Sequence, residues 1–170
     1  MTQRVIELTD FGAAENMKLV EADIPTPGPG QIVVKNNAIG LNYLDTYFRT
    51  GLYPWPNQEK IKVPGSEGVG HVHSVGADVN FFKEGDKVSY VTPVGAYAEY
   101  ALINAAHAVE IKVDVDDHDV VASTLKGLTT HYLLHLTFKL ESGMTALCHA
   151  AAGGVGQLMG QWGSEIGATM

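Results

Sequence analysis

At 170 residues, the chain is long enough for one good core or two small domains, and 45% hydrophobic with 8% aromatic residues is the composition of a globular chain rather than a disordered one. A net charge of -8, from 19 acids against 11 Lys and Arg, argues against nucleic acid as the main partner, because phosphate binding rests on basic patches. No stretch reaches the ~18 consecutive apolar residues of a membrane span, and the opening MTQRVIELTDFG lacks the basic-then-apolar build of a secretion signal, so a soluble, cytoplasmic protein with no membrane partner is expected.

From Val5 to about Leu102, short β-branched or apolar runs alternate with Gly and Pro: RVIEL, MKLVEA, QIVVKNNAIG, GVGHVHSVG, DKVSYVT and AEYALI. The pattern predicts a compact antiparallel or barrel-like β domain. PTPGPG (25–30) and LYPWPN (52–57) are its loops, since Pro removes a ladder donor and fixes φ for turns. KEGDKV (83–88) places Gly-Asp at a turn before a strand. After Ala105 the character changes. DVDDHDVVASTLKGLTTHYLLHLT (114–137) puts Asp at a helix start and then apolar residues at helical spacing, interrupted by Gly127, which predicts one or two helices. MTALCHA (144–150) reads as a short buried strand, AAGGVG as a turn, VGQLMGQWGSEIG as a helix, and Gly167 as the break before a further strand that the chain does not supply.

Strand, then Ala151-x-Gly153-x-x-Gly156, then helix, is the dinucleotide-binding spacing with Ala in the first glycine position. Small residues let backbone amides approach a pyrophosphate, the last glycine lets helix and strand pack closely, and a helix N-terminus favours an anion. A bare strand-turn-helix would show the same spacing. The residue that reads the ribose hydroxyl or its phosphate is expected about 20 residues further on, past Met170. NAD and NADP are therefore not separable from the residues present.

Two histidine pairs have metal-compatible spacing, His71 with His73 on one strand face and His131 with His135 on one helix face. Neither comes with a third ligand, so both pairs read as surface or packed side chains. Cys148 alone makes neither an intramolecular disulfide nor a Cys-rich zinc site, and inside an apolar strand it is expected to be an inert core thiol.

The order of parts, and the stretches AIGLNYLDTYFRTGLYP (38–54), VPGSEGVGHVHSVG (63–76), GDKVSY (85–90), GAYAEY (95–100), STLKGLTTHYLL (123–134) and LCHAAAGGVGQLMGQW (147–162), resemble the N-terminal half of the medium-chain dehydrogenase/reductase superfamily, in its zinc-free quinone oxidoreductase (zeta-crystallin-like) branch. Leu147, Ala151, Ala152, Gly153, Gly154, Gly156 and Gln161 fit that branch's signature, whereas Met144 stands where a polar residue is usual and should perturb only the strand's edge. The resemblance implies a mixed α/β chain: a GroES-like β-barrel catalytic domain over residues 1–122, then over 123–170 the first βα unit of a Rossmann NADP-binding domain, incomplete at residue 170.

Zinc alcohol dehydrogenases of the superfamily carry a ligand Cys where this chain has Asn42, and a His where Gly65-Ser66-Glu67 has its serine. Zinc is therefore not expected, and a substrate carbonyl would be polarised by hydrogen bonds instead. By resemblance Asn42, Asp45, Tyr47 and Tyr53 are the catalytic candidates, with Tyr47 the best-placed hydroxyl and Tyr53 at the substrate entrance. For the cofactor, Asn42 and Tyr47 would flank the nicotinamide, Lys126 and Thr129 would meet its ribose and carboxamide, and Ala152, Gly153, Gly154, Val155 and Gly156 would hold the pyrophosphate.

On residue chemistry alone, Asn42 and Asp45 could equally cap a turn, Tyr47 and Tyr53 sit at a core edge, and Lys126 be a solvated helix residue. The implied activity is zinc-independent, NADPH-dependent reduction of a quinone or another electrophilic small molecule, with reduction of activated double bonds and a non-catalytic fragment as alternatives. If the 170 residues are the whole polypeptide, weak or absent activity, or completion by a partner copy, is expected. A homodimer is an implication of the resemblance only.

Overall fold

The computed structural model describes residues 1–56 and 60–170, which divide into two compact units, Met1–Val121 and Ala122–Met170. In the first, β1 (Thr2–Leu8) and β2 (Met17–Asp23) form an antiparallel ribbon. β3 (Gln31–Gly40), β4 (Glu67–Val75), β5 (Lys87–Val91), β6 (Tyr100–Asn104) and β7 (Ala108–Glu110) make a second sheet in the order β6-β3-β4-β5-β7, antiparallel throughout. A bridge between Val5 and Ala98 joins ribbon and sheet. The antiparallel β expectation holds for these strands.

Ile32, Val34, Val72, Val88, Tyr90, Ala101 and Ile103 form the core of this unit. Val33 is buried as well, so β3 is covered on both faces rather than alternating in and out. Register shifts in β3 at Val33/Val34 and Asn36/Ala38 twist the strand where it meets β4. Asn36 there donates to the carbonyls of Ala96 (3.2 Å) and Ala98 (2.9 Å) and accepts from the Tyr90 hydroxyl (2.9 Å).

Two elements escape the sequence pattern. One is β7, too short for periodicity to show. The other is α1 (Tyr43–Thr50), which begins on Asn42 and ends on Gly51 in the left-handed conformation. It is placed directly after β3 and carries the candidate site.

α2 (Asp117–His131) runs straight through Gly127, so one α-helix, not two, fills this stretch, and it widens into a π-turn over Tyr132–Thr137. Its first turn packs Val120 and Val121 on Val69. In the second unit, α3 (Gly154–Ile166) follows the glycine turn as expected.

The predicted buried strand over 144–150 does not form. Within this segment only Thr145 makes a bridge, parallel, with Thr169, flanked by Ala146 N–H to Thr169 (2.9 Å) and Thr169 N–H to Met144 (2.8 Å). The segment is apolar enough for a strand, but a strand needs a partner backbone along its length, and this segment is paired only there. Leu147 is accordingly 86% exposed, and Cys148 is half-buried with its thiol turned to the His149 carbonyl (3.6 Å), not a core thiol. After Gly167 only Thr169 contributes, through that one rung, and no further strand forms among the described residues. No helix of the described residues is long and apolar enough to cross a membrane.

Candidate functional site

α1 opens on a capping box between Asn42 and Asp45. The Asp45 carboxylate accepts from the Asn42 N–H (2.8 Å) while the Asn42 side-chain nitrogen donates to Glu67 Oε1 (2.8 Å). Asp45 is only 5% exposed and Glu67 fully buried, so both carboxylates need donors to offset desolvation. Asp45 has three. Its Oδ1 accepts from the Ser66 hydroxyl (2.5 Å), and its Oδ2 from the Tyr97 hydroxyl (2.8 Å) as well as from Asn42. Burial, with the Asp45 carboxylate next to it, lifts the Tyr97 phenol far above its ordinary range and keeps it protonated.

Space for this network depends on two glycines. A Cβ on Gly40 would lie 2.2 Å from Glu67 Oε1 and 2.4 Å from its Cγ. Gly65 takes φ +96° and faces the Tyr97 ring, so the turn before Ser66 needs a residue without a side chain.

The capping role left open for Asn42 and Asp45 is thus present, and both residues also line a cavity of about 310 Å³ with Leu41, Tyr43, Thr46, Arg49 and Tyr97. Tyr47 and Tyr53 do not line it. Their rings pack at a tilt (5.4 Å between ring centres) and, through Phe48, extend to Trp55. The Tyr47 hydroxyl has no partner among the described residues.

Residue types alone did not single out Tyr97 or Glu67. Tyr97 lies 52 residues from Asp45 in sequence, and only the fold brings them together. The available signal was the repeated small residues of GAYAEY and the acid after Gly65-Ser66.

In the second unit, Ala150 takes a left-handed φ of +56°, unusual outside glycine. Its carbonyl accepts from Gly153 N–H (2.9 Å) and lies so close to Gly156 that a Cβ there would come within 2.6 Å of it. Gly153 is the N-cap of α3 with no side-chain acceptor, and no acid stands in the first turn. The first N–H groups of the helix are therefore left for an acceptor from outside. By the unspent donors it offers, this turn fits an anion such as a pyrophosphate.

Lys126 runs its stem past Gly154, whose Cβ would meet it at 3.3 Å. The Thr129 hydroxyl is spent on the Leu125 carbonyl (2.8 Å). His131 and His135 pack on each other (5.1 Å) and on Trp162, and among the described residues no group of three or more His, Cys, Asp or Glu side chains could hold a metal.

Comparison with known proteins fits this geometry. Residues 28–113 match the alcohol dehydrogenase GroES-like domain. A quinone oxidoreductase of Pseudomonas aeruginosa is 44% identical over 163 residues, covering 95% of this chain and 50% of that protein. A 2-haloacrylate reductase of a Burkholderia species is 39% identical, covering 94% and 49%. The solved structure of Escherichia coli quinone oxidoreductase complexed with NADPH superposes with a TM-score of 0.86 at 36% identity, over 99% of this chain and 51% of that one. The chain spans about half the length of the curated relatives it matches. With the matched residues running from β3 to just past β7 and enclosing the Asn42, Ser66 and Glu67 network, the chain belongs to the alcohol dehydrogenase GroES-like family, in the quinone oxidoreductase branch of the medium-chain dehydrogenase/reductase superfamily.

Proposed function

We propose that the chain carries the acceptor-binding half and the opening of the cofactor domain of a zinc-independent, NADPH-dependent oxidoreductase that reduces quinones. The observation that carries this reading is the donor set around Asp45. Where the resemblance puts the zinc ligands of alcohol dehydrogenases stand an amide and a hydroxyl, each tied to a buried carboxylate. Amide, hydroxyl and carboxylate oxygens do not make the thiolate and imidazole set of a catalytic zinc. An acceptor oxygen is then polarised by hydrogen bonds.

Residues 1–122 are assigned to the catalytic domain and 123–170 to the first βα unit of the NADP-binding domain. Ala152, Gly153, Gly154, Val155 and Gly156 would hold the pyrophosphate through the first-turn amides of α3. Lys126 and Thr129 are assigned to the ribose and carboxamide, Asn42 and Tyr47 to the nicotinamide side, and Tyr53 to the acceptor entrance. When bound, a nicotinamide would supply the hydride chemistry at this site. Tyr47, whose hydroxyl has no partner among the described residues, is assigned as a donor on the nicotinamide side, while Asp45 and Asn42 fix the start of its helix. The NADPH complex of the Escherichia coli relative supports the choice of cofactor.

A second reading, reduction of activated double bonds, is favoured by the relative named 2-haloacrylate reductase. A version extended to the length of the relatives, assayed for NADPH oxidation on a panel of quinones and an α,β-unsaturated aldehyde, separates the two. Faster turnover on a quinone is expected, and no turnover on any quinone overturns the proposal.

A further inference from the structure

Asp45 and Arg49 stand four residues apart on α1, the spacing at which an acid and a base on a helix normally pair. Here they do not. Both Asp45 oxygens are taken by Ser66, Asn42 and Tyr97, and among the described residues no carboxylate lies within ion-pair distance of Arg49. The guanidinium spends one donor, from Nη1 to the Gly12 carbonyl (2.7 Å). It keeps most of its five-donor fork, half-buried at the wall of the 310 Å³ cavity.

Much of the rest of that wall is apolar: Met17, Leu41, the Tyr43 ring and Pro64. A largely apolar cavity with one cation, whose neighbouring acid Asp45 is engaged by three other donors, suits an apolar body ending in an anion. The planar fork matches a carboxylate in bidentate geometry, where the compact ammonium of a lysine would not.

We propose that Arg49 is a carboxylate anchor, and that the cavity beside Asn42 and Asp45 accepts flat, electron-poor molecules bearing a carboxylate, such as an arylacrylate. As a statement about the acceptor, this rests on the oxidoreductase reading above; as a statement about binding, it does not.

Binding is therefore tested without cofactor or turnover, on the 170-residue chain, by calorimetric titration with trans-cinnamate and with its neutral analogue cinnamamide. Cinnamate is expected to bind at least about tenfold tighter than the amide, the scale of a charge-assisted hydrogen bond. Added chloride should weaken the acid and leave the amide unchanged, a comparison that needs no variant. Arg49→Gln should erase the preference, and Arg49→Lys, which keeps the cation and a donor for Gly12, should retain part of it. Equal binding of acid and amide, no binding of either, or an unchanged preference in a folded Arg49→Gln variant overturns the anchor. A quinone assay that fails while cinnamate binding stands would instead overturn the oxidoreductase reading alone.

Discussion

Asp45 shows how one residue serves two requirements at once. As the third residue of α1 it closes the capping box, and as a buried carboxylate it gathers the hydroxyls of Ser66 and Tyr97. Its chemical type was legible in the sequence, and so was capping. Its inward orientation was not, because Tyr97 and Ser66 arrive from distant segments. Gly40 holds the other half of the arrangement, since the room it leaves is filled by the whole Glu67 side chain rather than by a flexible tip. Gly40→Ala should force Glu67 off its bond with Asn42 and lower stability by about 1–3 kcal/mol, the usual cost of overpacking. Urea denaturation of the variant checks this. An unchanged midpoint would mean that Glu67 can move away freely.

At the scale of elements, β3 and β4 were readable because β-branched runs between glycines leave few alternatives. α1 does not stand out from the pattern although its signals are present: Asn42 and Asp45 three apart, Leu44 and Phe48 on one face, and Gly51 after the end. A residue pair that caps a turn also starts a helix, and eight residues give periodicity little room. The start of α2 is held to the sheet by charge. Lys87 of β5 donates to the Val115 carbonyl (2.8 Å) and pairs with Asp117 (2.6 Å), which also accepts from Asn37 (2.8 Å).

The bonds from Lys87 and then Asn37 hold the Asp117 carboxyl below its ordinary 3.8. A carboxyl lowered on folding stabilises the fold above its unfolded value, and that contribution is lost as pH falls through the folded one. Asp117→Asn should therefore be less stable than the parent near neutrality, with the gap closing below about pH 4. Denaturation midpoints for both proteins across that range decide it. A gap of constant size would assign the loss to packing at α2 instead.

For the whole molecule, the two units differ in how their backbone is satisfied. Met1–Val121 has long antiparallel ladders over a buried core. Ala122–Met170 has two helical elements and a single parallel rung, with Leu128, Leu136, Phe138 and Leu147 exposed. Parallel strands occur almost only where both faces are covered, and the relatives are about twice as long. The sequence made 144–150 look like a strand because its side chains suit one; whether it becomes one depends on neighbours that local pattern does not contain. Hydrogen exchange reads this difference directly. Amides of β3 and β4 should exchange only through global opening, while Ala146 and Thr169, donors of the lone rung, should exchange at least about a hundredfold faster, through local opening. In a version extended to the length of the relatives, the same two amides should slow toward the rate of the β3 amides wherever added strands pair with that rung and cover it. Equal protection of Ala146 and Val33 in the 170-residue chain would show that the second unit is as cooperative as the first without that cover.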